Sequence, residues 1–252
     1  MTVMAIMQAR MTSTRFPGKV LAPLAGAPMV IRQLERISRA RRLDSVVIAT
    51  SIDPSDDELV AVLAGAGHRV VRGSLDDVLG RFIAAIDAYE PDVVVRLTAD
   101  CPLISPRVID LVVDRFESTG ADYASNTMTP TYPDGLDVEV VSAAVLREVA
   151  SITTDPPERE HVTLGVYRRP DRFRIENVAA ERDLSTLRWT VDTPEDYAFV
   201  SGVYDELYPQ LPDFDLDDVL AYLERHPARN RTEQDAARNA ALQGLDTGAM
   251  NA

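Results

Sequence analysis

Two hydrophobic periods interleave along the chain, and their order predicts an alternating α/β architecture. Residues 3–7 form a short apolar run that ends in polar Gln8 and enters a loop containing Pro17 and Gly18, the pattern of a strand running into a loop. Over 29–38 the apolar residues Met29, Val30, Leu34 and Ile37 recur at helical spacing with charges between them, which predicts a helix. A β-branched strand follows at 46–49. Asp53-Pro54-Ser55 then supplies a turn and a helix start, with Asp57 and Glu58 in the first turn. The pattern repeats as a strand at 68–71, a helix at 75–89 and a strand at 93–97 apolar enough to be buried on both faces. Such alternation predicts a mostly parallel sheet with helices on both faces, a Rossmann-type α/β fold.

After Asp100 the pattern loosens. It predicts a helix at 106–116, a strand at 123–125 and a turn-rich stretch at 129–135, read as an excursion from the main sheet. Beyond it come a strand at 138–141, a helix at 143–151 and strands at 173–178 and 188–191. Thr193-Pro194-Glu195-Asp196 combines a cap residue, a proline at the first helical position and acids in the first turn, so it opens a helix running through Tyr208. A short amphipathic helix is expected at 216–224. The reading is one domain over 1–226, with an excursion at about 120–180, and a tail over 227–252 that has few large apolar residues and is expected to fray.

Composition narrows the function. The 252 residues are 46% hydrophobic, and no apolar run reaches the roughly 18 residues a membrane helix needs. With no export signal legible at the N-terminus and a single cysteine, Cys101, a soluble cytoplasmic protein is expected. Cys101 is read as a packing residue, because no motif pairs it with a histidine base. A formal net charge of −14 repels polyanions over most of the surface, which argues against nucleic acid as a partner. Phosphate handling would therefore need a local basic site. One exists near the start: Arg10, Arg15, Lys19, Arg32, Arg36, Arg39, Arg41 and Arg42 face only Glu35, although much of that charge could be the solvated face of a helix.

Ligands of open parallel sheets bind at the carboxyl ends of the strands, which directs attention to the residues just after each one. The first such loop reads QARMTSTRFPGK, with Arg10, Arg15, Lys19 and three hydroxyls. Guanidinium groups grip phosphate oxygens in forked pairs, and an ammonium neutralises charge that builds up during phosphoryl transfer. The loop is neither a Walker sequence nor GxGxxG. The second place is TADCP, where Asp100 follows the most apolar strand; the third is WTVDTPED, where Asp192 ends another. Two strand-end carboxylates suit a shared Mg²⁺ cluster completed by substrate oxygens, while the competing role for each is a helix cap. In DGLDVE, Asp137 and Glu139 alternate along an extended chain and face one side, which suits an acceptor pocket or an exposed edge strand. His161 stands beside Arg159 and Glu160 in a charged setting.

Together QARMTSTRFPGKVL, RGSLDDVLGRF, RLTADCPLI, YPDGLDVEV, REHVT and TVDTPEDY resemble, in order, the cytidylyltransferase family of spore coat polysaccharide biosynthesis, related to the CMP-KDO and acylneuraminate cytidylyltransferases. The resemblance implies a nucleotide-diphospho-sugar transferase-like fold, a homodimer, and transfer of CMP from CTP to an acceptor oxygen with Mg²⁺ and release of pyrophosphate. It implies that Arg10, Arg15 and Lys19 serve the triphosphate, with Ser13 as a further donor. Arg72, Gly73 and Ser74 would contact cytosine and ribose, and Asp100 and Asp192 would hold the metal. Asp137, Glu139, Arg159 and His161 would face a small-molecule acceptor. Cys101 stands where the sugar-acid enzymes carry the second acid of a GDEP pair. Two other functions compete: a nucleotide-sugar-dependent glycosyltransferase of the same fold, and a nucleotide-binding regulatory module without catalysis.

Overall fold

Strand β1 (Val3–Gln8) sends Val3, Ala5 and Met7 to one face of the sheet and Met4 and Ile6 to the other, and all five are buried. A strand apolar on both faces belongs at the centre of a covered parallel sheet, and β1 lies there. A computed structural model describes residues 1–232. The tail expected to fray lies, from 233 on, outside the described residues.

The other strands are β2 (Pro23–Leu24), β3 (Ala27–Pro28), β4 (Ser45–Ser51), β5 (Arg69–Gly73), β6 (Val93–Thr98), β7 (Tyr123–Ser125), β8 (Glu139–Ser142) and β9 (Ile175–Asn177). Seven of them form one sheet in the order β5-β4-β1-β6-β8-β7-β9, and β2 pairs with β3 in a small hairpin. All pairings in the large sheet are parallel except those of β8 with β6 and β7. The stretch after Asp100, expected to leave the sheet, thus supplies three of its strands. The helices are α1 (Met29–Ile37), α2 (Asp57–Gly65), α3 (Val78–Tyr89), α4 (Pro106–Thr119), α5 (Ala143–Ile152), α6 (Pro156–Glu160), α7 (Leu164–Tyr167), α8 (Pro194–Leu207) and α9 (Leu216–Arg225). Residues of α1, α4, α8 and α9 cover the Ala5 and Met7 face, and α3 and α5 cover the Met4 and Ile6 face. Among the described residues no helix is long and apolar enough to cross a membrane.

Two expected elements differ. The helix expected from Leu75 starts at Val78, because Asp77 accepts the Gly80 backbone N–H at 2.8 Å and caps it there. Among the described residues, the strand expected at 188–191 is an irregular extended segment in which Arg188 makes an isolated bridge with Asp134, as Leu187 just before it does with Thr232. Its backbone is divided among different partners: Trp189 N–H donates to Asp134 O at 2.6 Å and Val191 N–H to Asp100 O at 2.8 Å. Among the described residues no single neighbour runs alongside it long enough to build a ladder. The short α6 and α7 and the β2–β3 hairpin have too few residues to show a period and were not foreseen.

That segment fits against Gly135, whose φ of 112° favours glycine. A Cβ there would lie 2.6 Å from the backbone of Trp189 and Thr190. Gly135→Ala is therefore expected to destabilise the protein by about 3 kcal/mol and to lower activity by displacing Asp192. An unchanged melting temperature would contradict this.

Candidate active site

The loop after β1 is pinned from both sides. Met11 N–H donates to Asp56 Oδ1 at 2.7 Å, and fully buried Asp56 also accepts Thr50 Oγ1 at 3.0 Å, Ser51 N–H at 3.1 Å and the Ser51 hydroxyl. Gly18, at φ 73°, closes the loop by donating to Met11 O at 3.0 Å and turns the chain into a 3₁₀ turn that begins with Lys19. The Lys19 side chain consequently points inward, 10% exposed.

Its ammonium joins the three stretches singled out in the sequence. Lys19 Nζ donates to Val191 O at 2.6 Å and Asp192 Oδ1 at 3.0 Å, and lies 3.5 Å from Asp100 Oδ2. Burial pulls the Lys19 pKa down, but Asp100 and Asp192 outweigh it and the net shift is upward, so the group stays charged at neutral pH. Asp100, just past β6, accepts the Thr98 hydroxyl at 2.6 Å. Cys101 beside it is buried, and burial followed by the Asp100 charge pushes its thiol well above the ordinary value, which fits packing and not nucleophilic chemistry.

Asp192 belongs to a wider network. Its carboxylate meets Arg15 at 3.1 Å and Arg188 at 2.8 Å. Arg188 is 2% exposed and also bonds Asp134 and Asp196. Asp196, 1% exposed, accepts the Asp192 and Thr193 backbone N–H groups at 3.0 and 3.1 Å. The acid that looked like a helix-dipole residue is thus the keystone that orients Asp192. Burial works to raise the Asp192 pKa, but Lys19, Arg188 and Arg15 overcome it and hold the carboxyl below its usual range. With a depressed folded value, its stabilising contribution is present above the unfolded carboxylate pKa of about 3.9 and fades as pH falls through the lower folded value. The melting-temperature gap between wild type and Asp192→Asn should accordingly be widest near neutrality and shrink below about pH 4. A gap independent of pH would contradict the assignment.

Arg15, Lys19, Asp100 and Asp192 line a cleft of about 400 Å³, as do Arg10, Ser13 and His161. Arg10 lies 3.7 Å from Glu160. Of the eight early cations, only Arg10, Arg15 and Lys19 line it. Arg32 binds Glu35 and the Leu24 carbonyl, Arg36 clamps the carbonyls of Ile104 and Phe214, and Arg42 pairs with Asp114.

Arg72, Gly73, Ser74, Asp137, Glu139 and Arg159 are not in the lining of the cleft. Arg72 folds back on the Ser51 carbonyl at 2.8 Å and Asp57 at 2.7 Å, and neither Gly73 nor Ser74 lines the cleft. Glu139 is buried in a cluster with Arg96, the Tyr123 hydroxyl at 2.8 Å and the Thr163 hydroxyl at 3.0 Å. Arg159 makes a forked pair with Asp77 at 2.9 and 2.6 Å. Asp137 is half-buried, near enough to Cys101 to help raise its thiol pKa. His161 does line the cleft, and burial together with nearby Arg96 pushes its imidazole pKa down. Val162 after it is β-branched with φ 51°, a strained conformation of the kind found at functional sites. Sequence reasoning passed over Arg81 and Glu160, which line the cleft, and Arg188 and Asp196 behind it. The available signal for Arg188 was a lone charge heading the apolar run WTV.

A family model described as "Cytidylyltransferase" matches residues 4–210. The spore coat polysaccharide biosynthesis protein SpsF of Bacillus subtilis is 34% identical over 232 residues, 89% of this chain and 95% of that protein. The 3-deoxy-manno-octulosonate cytidylyltransferase of Geobacter sulfurreducens is 41% identical over 112 residues, 44% of this chain and 43% of that protein. A solved cytidylyltransferase structure from Leptospira borgpetersenii superposes with a TM-score of 0.86 at 32% identity, over 91% of this chain and 96% of that one.

Proposed function

The chain belongs to the cytidylyltransferase family, and from that premise we propose that it transfers CMP from CTP to an oxygen of a small anionic acceptor, with Mg²⁺, releasing pyrophosphate. The observation that carries this reading is the single ammonium of Lys19 shared by two strand-end carboxylates, Asp100 and Asp192, in a cleft also lined by Arg10 and Arg15.

In this reaction the acceptor oxygen attacks the α-phosphorus in line, a new P–O bond forms, and the bond from the α-phosphorus to its bridging oxygen breaks as pyrophosphate departs. Arg10, Arg15 and Lys19 bind the phosphates and stabilise charge on the departing pyrophosphate, with Ser13 as a further donor. Asp100 and Asp192 fit a divalent ion: two hard carboxylates within reach of one cationic point match a Mg²⁺ that keeps waters and substrate oxygens for its remaining positions. When bound, the ion supplies positive charge to the α-phosphate oxygens. Lys19, already held by both aspartates, can turn from them toward a phosphate oxygen when substrate arrives. No covalent enzyme intermediate is required, since positioning and electrostatics provide the acceleration.

In this reading the acceptor lies against His161, which lines the cleft. Glu139 and Arg159 set that wall from behind, Glu139 by holding Thr163 and Arg159 by tying α6 to Asp77. The name of the Geobacter sulfurreducens relative makes a sugar acid the first acceptor to try. The test is to incubate the protein with CTP, Mg²⁺ and a panel of sugar acids, phosphonates and polyol phosphates and to follow pyrophosphate. ATP, GTP and UTP serve as competing donors. Pyrophosphate released from another triphosphate, and from CTP with no acceptor, would overturn the reading.

A further inference from the structure

Among the described residues His161 is the one imidazole that lines the cleft, and it is half-buried there. Its ring makes no hydrogen bond or ion pair with them, and neither ring nitrogen is sealed from solvent. The backbone that carries the ring is strained and braced. Val162, the next residue, is fully buried and β-branched at φ 51°, a conformation that L side chains rarely adopt. On one side His161 N–H donates to Pro157 O at 2.9 Å, and Arg159 ties α6 to Asp77 at 2.6 Å. On the other the Thr163 hydroxyl donates to Glu139 at 3.0 Å. Glu139 is held in turn by Arg96, whose Nε donates to Gln8 Oε1 at 3.2 Å in the cleft lining. An unpartnered ring on so firmly held a turn is an arrangement kept for a ligand and not for the fold.

CMP transfer needs such a group when the acceptor is a hydroxyl. A hydroxyl keeps its proton at neutral pH and must lose it as its oxygen attacks the α-phosphorus, whereas a phosphate or phosphonate oxygen is already anionic. The other proton acceptors of the lining are engaged: Asp100 and Asp192 share Lys19 and fit the divalent ion, and Glu160 lies 3.7 Å from Arg10. The charged groups acting on the ring are Arg96 of β6, Glu139 of β8, Glu160 of α6 and Arg168 after α7, and the cations of the same lining are Arg10, Arg15, Lys19 and Arg81. Burial lowers the imidazole pKa most and Arg96 adds to it, while Glu160 and Glu139 oppose them. The net shift is downward from the ordinary value of about 6.5, so at pH 7 the ring is neutral and can take a proton.

We propose that His161 is the general base for a hydroxyl acceptor, taking the hydroxyl proton on a ring nitrogen as the oxygen bonds to the α-phosphorus of CTP and pyrophosphate leaves. The protonated ring then passes that proton to solvent, and the products are the CMP ester of the acceptor and pyrophosphate. The assignment deepens the CMP-transfer reading given above and rests on it. It narrows the acceptor to a compound whose attacking oxygen is a hydroxyl, as distinct from a phosphate or phosphonate.

The test follows pyrophosphate release by the full chain from CTP and Mg²⁺ across a pH series, for wild type, His161→Gln, His161→Ala and Glu160→Gln. Sugar acids, led by 3-deoxy-manno-octulosonate, serve as hydroxyl acceptors, and phosphonates and polyol phosphates as anionic ones. Melting temperatures establish that each variant is folded, and calorimetric titration gives its CTP affinity. With a sugar acid at pH 7, both His161 variants should lose about 10²- to 10³-fold in rate while their CTP affinity changes little. His161→Gln keeps hydrogen-bonding atoms but cannot take the proton, so it should fare no better than His161→Ala. The advantage of wild type over His161→Gln should shrink as pH falls through the lowered imidazole value, because the protonated ring is no longer a base. A folded His161→Gln with a rate near that of wild type, or an advantage that does not change with pH, would overturn the assignment. A pH-dependent loss in Glu160→Gln with none in His161→Gln would give the role to Glu160 and overturn it as well. Transfer from CTP to the phosphonates or phosphates alone would leave the cytidylyltransferase reading standing and sink the hydroxyl base. No pyrophosphate from CTP with any acceptor would instead remove that reading itself, and the assignment with it.

Discussion

Replacing Lys19 by alanine is expected to lower the transfer rate by on the order of 10³-fold, the upper end for loss of one preorganised charge donor in a phosphoryl or acyl transfer site. The same change should lower stability, because Lys19 is the only cation that an ion pair or hydrogen bond joins to Asp100 among the described residues. Asp192 keeps Arg15 and Arg188, so the uncompensated charge falls mainly on Asp100. Breaking a buried pair costs about 3 to 5 kcal/mol, and the low end applies here because both aspartates are partly open to water. For a chain of this size that corresponds to a melting temperature lower by roughly 6 to 12 °C. A divalent cation should restore more of that loss in Lys19→Ala than it adds to wild type, since the vacated position lies between two carboxylates. Scanning calorimetry with and without MgCl₂ measures this, alongside pyrophosphate release. A variant that keeps wild-type turnover would remove Lys19 from the mechanism.

The elements legible in the sequence were those whose period could be counted. Strand β6 announced itself as buried on both faces, β1 was legible as an apolar run entering a loop, and α8 was legible to its first residue because Thr193, Pro194 and Asp196 form a complete capping box. Convergence at the site followed from one topological rule: β1 and β6 are parallel neighbours, with Gln8 beside Thr98, so the loop after one must lie beside Asp100 after the other. What the sequence concealed was partnership. Nothing in a row of letters says that Arg72 spends its guanidinium on the Ser51 carbonyl while Arg81, nine residues on, has Nε and Nη1 enclosed without an acceptor among the described residues. Likewise Asp192 and Asp196 both precede or begin a helix, and only the burial of Arg188 between them separates the acid that faces the cleft from the acid that holds it in place. The segment 188–191 reads as a strand because its side chains alternate, but its backbone serves Asp134, Asp100 and Lys19 in turn.

Asp100→Asn should separate chemistry from stability more cleanly than any other change at the site. The Asp100 carboxylate accepts the Thr98 hydroxyl at 2.6 Å and lies 3.5 Å from Lys19, and a side-chain amide of nearly the same shape can keep the first contact through its oxygen. The stability change should therefore stay within about 1 kcal/mol. The lost charge matters far more to a bound cation, which draws its affinity from anionic oxygens. Transfer is expected to fall by on the order of 10³-fold, about 4 kcal/mol of transition-state stabilisation at 1.36 kcal/mol per tenfold. The increase in melting temperature that MgCl₂ and CTP produce together in wild type should shrink in the same variant, a readout independent of turnover. Asp196→Asn should behave in the opposite way, with a large loss of stability because a carboxylate enclosed by Arg188, Arg231 and two backbone N–H groups loses its charge. If Asp100→Asn instead kept both its rate and its full response to Mg²⁺, the carboxylate at the end of β6 would be a partner for Lys19 and nothing more, and the metal would have to be held by Asp192 alone.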